Sequence, residues 1–190
     1  MRIGVLALQG GFAEHLAALS KLNVEAVELR KPADLSGGID GLILPGGEST
    51  VMGRLLHETG LFMPLKGLID GGLPVFGTCA GMILLAENIE NDSTVHFGSL
   101  RIIVRRNAYG RQLGSFRQNG DFSGVGQVPM TFIRAPYIAS AGEGVRVLAC
   151  VDGLQVAAES DNILVTAFHP ELTDDLRVHQ YFLDKFTRRV

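Results

Sequence analysis

The chain opens on an almost unbroken apolar run, Arg2-Ile3-Gly4-Val5-Leu6-Ala7-Leu8, the pattern of a strand covered on both faces in a parallel sheet. Gln9-Gly10-Gly11 breaks it. From Phe12 onward Ala13, Leu16, Ala17 and Leu19 recur at helical spacing, until Leu22-Asn23 ends the pattern. Residues 24–29 alternate apolar and charged positions, which predicts a second strand nearer an edge and makes the opening a βαβ unit. Gly41-Leu42-Ile43-Leu44 predicts a third strand, stopped by Pro45-Gly46-Gly47. Ser49 or Thr50 is placed to cap the helix that Val51, Met52, Leu55 and Leu56 outline. A short helix over 61–69, closed by Gly71-Gly72, leads to a fourth strand at 74–76 and a helix-like run at 82–87.

After Asn88 the pattern changes to short β-rich segments, at 95–104, 114–118, 130–133, 145–151, 154–158 and 163–168. Gly, Asp and Asn separate them, and Asp152-Gly153 and Asp161-Asn162 have the composition of hairpin turns. A last helix is expected over 174–189, with Leu176, Val178, Tyr181, Phe182 and Phe186 on one face. No repeat, low-complexity stretch or linker interrupts the chain. The expectation is an α/β fold of one domain, 1–190, with helices flanking a mainly parallel sheet in three layers and antiparallel additions in the second half.

Composition narrows the function classes. The chain has 190 residues, 46% of them hydrophobic and 19% charged, which suits a compact folded protein. A formal net charge of −3 gives no electrostatic reason to expect nucleic acid or a membrane surface as partner. Two cysteines are too few for a disulfide framework, and no secretory signal or membrane-length apolar stretch is seen, so a cytoplasmic location is expected.

Three loops follow predicted strands and would gather at the carboxyl end of such a sheet, where open α/β folds bind ligands. In Gly77-Thr78-Cys79-Ala80-Gly81 a cysteine stands between glycines where a strand becomes a helix. That is the arrangement of a nucleophile elbow. The helix start favours a thiolate there, and the Ala80 N–H would face an oxyanion. On the pentapeptide alone, catalysis and core packing stay equally open. In Phe168-His169-Pro170-Glu171-Leu172, His169 could take the thiol proton while Glu171 orients its ring, giving nucleophile, base and orienter in the order Cys79, His169, Glu171. Alternatively, His169 merely ends a strand and Glu171 caps the last helix. The third loop, Gly46-Gly47-Glu48-Ser49, lacks the lysine of a Walker loop and the Rossmann spacing, and reads as backbone that approaches a small substrate and offers N–H groups, or as a plain strand-ending turn. His15, His57 and His179 fall on predicted helices as surface or packing residues, and His96 falls in a loop. No metal-ligand spacing is found, and Cys150 reads as a small core residue within a strand.

With these loops the sequence resembles the class I glutamine amidotransferases, and within them the PdxT/SNO family of glutaminase subunits of pyridoxal 5′-phosphate synthase. The resemblance rests on Gly4-Val5-Leu6-Ala7-Leu8-Gln9-Gly10 with Glu14-His15, on Leu42 to Thr50, and on Phe76-Gly77-Thr78-Cys79-Ala80-Gly81. It continues through Arg106-Asn107-Ala108-Tyr109-Gly110-Arg111-Gln112, Phe132-Ile133-Arg134-Ala135-Pro136 and Phe168-His169-Pro170-Glu171-Leu172-Thr173. It implies a flavodoxin-like, class I amidotransferase fold and a Cys79-His169-Glu171 triad. Glutamine would be bound by Gly46, Gly47, Glu48, Ser49, Arg106, Ile133 and Arg134, with Glu48 suited to the ammonium and Arg106 or Arg134 to the carboxylate. Gly47 and Ala80 would form the oxyanion site. The same resemblance implies a γ-glutamyl thioester and ammonia passed to a synthase subunit of the PdxS/SNZ type in a large hetero-oligomer. It implies glutaminase activity that is low until that partner docks, and no cofactor, since pyridoxal 5′-phosphate is the product of the complex. The rivals are a glutaminase subunit of another pathway, such as histidine biosynthesis, and a non-catalytic cysteine redox or chaperone protein, which would not need the carboxylate of Glu171.

Overall fold

The computed structural model describes residues 1–106 and 114–187. The βαβ opening is present: β1 (Arg2–Leu6), α1 (Phe12–Lys21) and β2 (Glu25–Leu29), with the two strands parallel and Ile3 opposite Ala26. β2 lies at one end of the sheet, as its half-polar alternation predicts, whereas β1 is buried from Ile3 onward. β3 (Gly41–Leu44), α2 (Ser49–Glu58), α3 (Phe62–Asp70) and β4 (Val75–Thr78) follow within two residues of their predicted positions. Glu48, not Ser49 or Thr50, caps α2: its carboxylate accepts the Thr50 and Val51 N–H groups, each at 3.1 Å.

α4 (Ala80–Leu85) is buried at all six positions, and the chain leaves it earlier than predicted, turning at Ala86 into β5 (Ala86–Ile89). The second half then supplies β6 (Leu100–Arg105), β7 (Ser115–Phe122), β8 (Gly126–Ile133), β9 (Tyr137–Ala141), β10 (Arg146–Val151), β11 (Leu154–Glu159) and β12 (Ile163–Thr166). Among the described residues, ten strands form one sheet in the order β2-β1-β3-β4-β12-β11-β9-β6-β5, with β10 added on β11. The run from β2 to β12 is parallel, and β12-β11, β11-β9, β9-β6 and β10-β11 are antiparallel. β7 and β8 make a separate eight-residue ribbon from Ser115↔Ile133 to Phe122↔Gly126.

Three differences from the expected elements have physical causes. The pattern does not predict β9, because only Ile138 of its five residues is buried and no alternation results. β7 continues four residues past 118 because β8 pairs with it throughout, although Asn119-Gly120-Asp121 has no strand propensity of its own. The expected strand at 95–104 begins only at Leu100, since Phe97 drops into the core and its N–H goes to Leu84 O. Cys150 does lie in a strand, but it is exposed rather than in the core. Register shifts around Ala149 bury Leu148 and Ala149 together and turn Cys150 outward.

The Asp152-Gly153 hairpin is present, with Val151 opposite Leu154 and both turn residues at positive φ (51° and 78°), the geometry that Asp-Gly favours. Asp161-Asn162 links antiparallel β11 and β12. The last helix is α5 (Arg177–Phe182), continued by a π-helical turn over Leu183–Thr187 and buried through Val178, His179, Phe182 and Phe186; it begins three residues later than predicted, and 188–189 of the predicted span lie outside the described residues. Among the described residues no helix is long and apolar enough to cross a membrane.

One consequence of this topology matters for function. β1, β3, β4 and β12 are consecutive parallel neighbours, so the segments leaving their carboxyl ends converge. Those segments carry Gln9, Gly46-Gly47, Cys79 and His169.

Candidate active site

Cys79 sits at φ 48°, ψ −98°, a left-handed conformation that a side-chain-bearing residue adopts only when its surroundings impose it. Its N–H is tied to Thr166 O at 2.7 Å, which anchors the elbow to β12. The flanking glycines are fixed by close main chain, of β3 for Gly81 and of the elbow itself for Gly77. A β-carbon on Gly81 would lie 2.0 Å from Leu44 O, and one on Gly77 would lie 2.8 Å from the Gly81 carbonyl carbon. These glycines admit neighbouring main chain.

His169 leaves β12 with its N–H bonded to Thr131 O at 2.8 Å, and Pro170 starts a 3₁₀ turn that returns Glu171 beneath the ring. His169 Nδ1 meets Glu171 Oε1 at 2.8 Å. On its other side the ring interacts with Cys79. Cys79, His169 and Glu171 are all buried, at 6%, 8% and 7% exposure, so their interactions are only weakly screened. Burial works against a charged His169, but its bonds to Cys79 and Glu171, and their charges, outweigh burial and raise its pKa to about 10. Burial likewise works against an ionised Glu171, and His15 first, then His169, hold its carboxyl far below the usual carboxylate range.

These groups open on a cleft of about 510 Å³. Its lining includes Cys79, His169 and Glu171 together with Gly46, Gly47, Glu48, Ser49, Arg106, Ile133 and Arg134, so all the expected site residues but Ala80 border one space. Ala80 is buried and does not line the cleft. Gly46 lies against His169: a β-carbon there would come within 2.2 Å of the ring's Cε1.

The charges in the cleft are arranged as well as assembled. Arg106 Nη1 is held by Asp92 at 3.0 Å, while its Nε is buried with no partner among the described residues. Asp92 stays below the usual carboxylate range chiefly through Thr94 N–H, with Arg106 adding to it. Arg134 sits at φ 43°, pinned through its N–H to Gly114 O at 2.7 Å. Arg105 faces elsewhere, bound to Glu90 and over the Tyr137 ring. Of the Arg106–Gln112 stretch only Arg106 is described; residues 107–112 lie outside the described residues. Burial would raise the pKa of Glu48, but the Thr50 and Val51 N–H groups, then Arg106, lower it, so a carboxylate stands opposite the arginines.

Sequence reasoning passed over several of these residues. Gln9 lines the cleft, and its Oε1 accepts the Glu48 N–H at 2.8 Å, fixing the Gly46-Gly47 turn. Its place at the end of β1 is the same signal that marked the other three loops. Glu14 also lines the cleft. His15 and His179, read as surface or packing residues, are both fully buried, and His15 reaches Glu171. Only tertiary contact shows this, because Glu171 lies far away in sequence. His57 is exposed and stacked on Phe62, in keeping with a surface role.

Residues 5–188 match the SNO glutamine amidotransferase family. The chain is 56% identical over 187 residues to a Streptococcus pneumoniae protein described as pyridoxal 5′-phosphate synthase subunit PdxT, covering 97% of each chain. A solved structure described as a glutamine amidotransferase superposes with a TM-score of 0.90 at 45% identity, covering 96% of this chain and 97% of the other. A putative GMP synthase component from Thermoplasma acidophilum shares the fold alone, with a TM-score of 0.69 at 18% identity, covering 97% of this chain and 92% of the other.

Proposed function

We propose that this chain, which belongs to the SNO glutamine amidotransferase family, is the glutaminase subunit of a pyridoxal 5′-phosphate synthase. It hydrolyses L-glutamine to L-glutamate and ammonia, and the ammonia passes to a separate synthase subunit. The observation that carries this reading is the buried line from Cys79 through His169 to Glu171, opening on a cleft that holds two arginines and the carboxylates of Glu14 and Glu48.

The chemistry follows from the geometry. With His169 Nδ1 occupied by Glu171, the ring's Nε2 is the nitrogen left for the thiol and the leaving group. A ring whose pKa is raised to about 10 is protonated at neutral pH, and an imidazolium beside a cysteine favours attack by the thiolate. Cys79 Sγ attacks the side-chain carboxamide carbon of glutamine. The oxyanion is received by the Gly47 and Ala80 N–H groups. His169 gives its proton to the departing nitrogen, so ammonia leaves and a γ-glutamyl thioester remains. The ring, now neutral, takes a proton from water as that water attacks the thioester. Glutamate leaves, and the thiolate and imidazolium are restored.

Glutamine's α-ammonium is received by Glu48 and its α-carboxylate by Arg106 or Arg134. Arg106 is the better carboxylate partner, because it lines the cleft and Asp92 fixes its guanidinium from one side. Ser49 and Ile133 complete the pocket wall. Ammonia released to water at neutral pH is mostly ammonium and a poor nucleophile, which is the chemical reason for direct transfer to a docked synthase in a hetero-oligomer. No cofactor is required for the hydrolytic half-reaction. Assay of glutamate and ammonia release, with and without the synthase subunit, tests the proposal. Consumption of glutamine that needs Cys79 supports it, and no consumption in either condition rejects it.

A further inference from the structure

Two histidines that the reaction does not use lie in the core next to Glu171. His15, on α1, and His179, on α5, are both 0% exposed. His15 Nε2 is 3.5 Å from Glu171 Oε1 and 3.2 Å from Thr78 Oγ1, and its Nδ1 is 3.0 Å from His179 Nε2. Both rings stand edge-on to Phe76, which supplies an apolar wall. Packing alone would be better served by apolar side chains, since each buried imidazole nitrogen without a partner is costly.

The proton positions follow from the contacts. Glu171 Oε2 is buried without a partner among the described residues, so the contacts to this carboxylate converge on Oε1: the His169 hydrogen bond at 2.8 Å and the approach of His15 Nε2 to 3.5 Å. A bare lone pair on His15 Nε2 would face that carboxylate and repel it, so Nε2 carries a proton, shared between Glu171 and Thr78. With that proton placed, a neutral His15 has a bare Nδ1, which accepts from His179 Nε2–H. His179 Nδ1 is then the bare nitrogen, and it is the buried atom that lacks a partner. An unpaired acceptor costs less than an unpaired N–H, so the order of protons is self-consistent. Burial pushes the His179 pKa down to about 3, which keeps it neutral.

We propose that His15 and His179 are positioning residues for the triad: His15 donates from Nε2 to the Glu171 oxygen that holds His169, and His179 fixes the His15 tautomer. This rests on the role of Glu171 as orienter in the glutaminase reading. The device gives the carboxylate a second donor from a different element, so that its place under His169 is not left to one bond. Glu14, on the same helix as His15, faces the cleft.

The test is long-range 1H–15N NMR of the full chain labelled at histidine, combined with kinetics in the complex with the synthase. Protonated Nε2 on both His15 and His179 is expected, with His179 Nδ1 bare. A bare His15 Nε2, with Thr78 donating to it, overturns the proposal. In the complex, His15→Leu is expected to lower kcat about tenfold or more with KM for glutamine within about twofold, and His15→Gln, which keeps a donor, to recover most of the rate. Equal rates in His15→Leu and wild type overturn it. Should His15→Leu not fold, His179→Phe keeps ring volume without the donor and is expected to lower kcat in the same direction, and an unchanged rate counts against the relay. If wild type itself leaves glutamine intact, it is the glutaminase reading that falls, and the tautomers still decide whether the relay exists.

Discussion

Gly46 lies so close to His169 that a β-carbon on it would fall 2.2 Å from the ring's Cε1. The glycine therefore sets where the imidazole can be, and the close approach explains why the loop after β3 bears no side chain at this point. Gly46→Ala is expected to push the ring off its line to Cys79 and lower kcat by about 10², because a shift of about 1 Å in a reacting group is enough for such a loss. The melting temperature should fall less than in Gly81→Ala, where the new carbon meets the Leu44 carbonyl, main chain that cannot rotate away. That second substitution should cost about 1–3 kcal/mol in urea unfolding. A Gly46→Ala enzyme with normal kcat would show that the ring has slack.

Glu171→Gln keeps shape and removes charge. The amide can present a donor to His169 Nδ1, which favours the wrong tautomer, and it no longer stabilises an imidazolium. Turnover is expected to fall by about 10²–10⁴ with KM little changed, as measured by steady-state glutamate release. If the loss appeared in KM instead, Glu171 would be a substrate contact.

His169 and Glu171 leave opposite marks on stability against pH. His169 has a folded pKa of about 10, above its ordinary value of 6.5, so its contribution is complete below about pH 6.5 and is lost as pH rises toward 10. Glu171 is lowered from 4.5, so its contribution is complete above that value and fades as pH falls. The stability gap between wild type and His169→Gln should be widest near pH 5–6.5 and narrow up to pH 10. Urea unfolding across that range reads it directly. A gap that grew with pH would mean a neutral ring in the folded protein.

Asp92 holds one end of the Arg106 guanidinium at 3.0 Å. Arg106→Ala should raise KM for glutamine well beyond any loss in kcat, and Asp92→Asn should do the same more weakly, about 2- to 10-fold, by loosening the arginine. An unchanged KM in Arg106→Ala would leave the substrate carboxylate to Arg134.

Much of this was legible in the sequence, for local reasons. β1, β3 and β12 are short apolar runs ended by Gly or His-Pro, and parallel burial needs little else to be recognised. The cysteine between glycines and the His-Pro-Glu step are likewise local signatures, and the cleft unites them. What was not legible depends on partners distant in the chain. β9 is a strand because β6 and β11 flank it, not because of its own pattern. Glu48 displaces Ser49 as helix cap only because the Pro-Gly-Gly turn brings its carboxylate back over α2. His15 and His179 meet 164 residues apart, and nothing in either helix announces a buried imidazole pair.

Everything proposed for the cleft turns on Cys79 as the acyl acceptor of a glutaminase. The most direct measurement is glutamate and ammonia release by wild type and by Cys79→Ala, each alone and with the synthase subunit, alongside glutamine binding by calorimetry. Wild type should release glutamate and ammonia in equal amounts, faster with the synthase, while Cys79→Ala binds glutamine and releases neither. Turnover retained by Cys79→Ala would contradict the account.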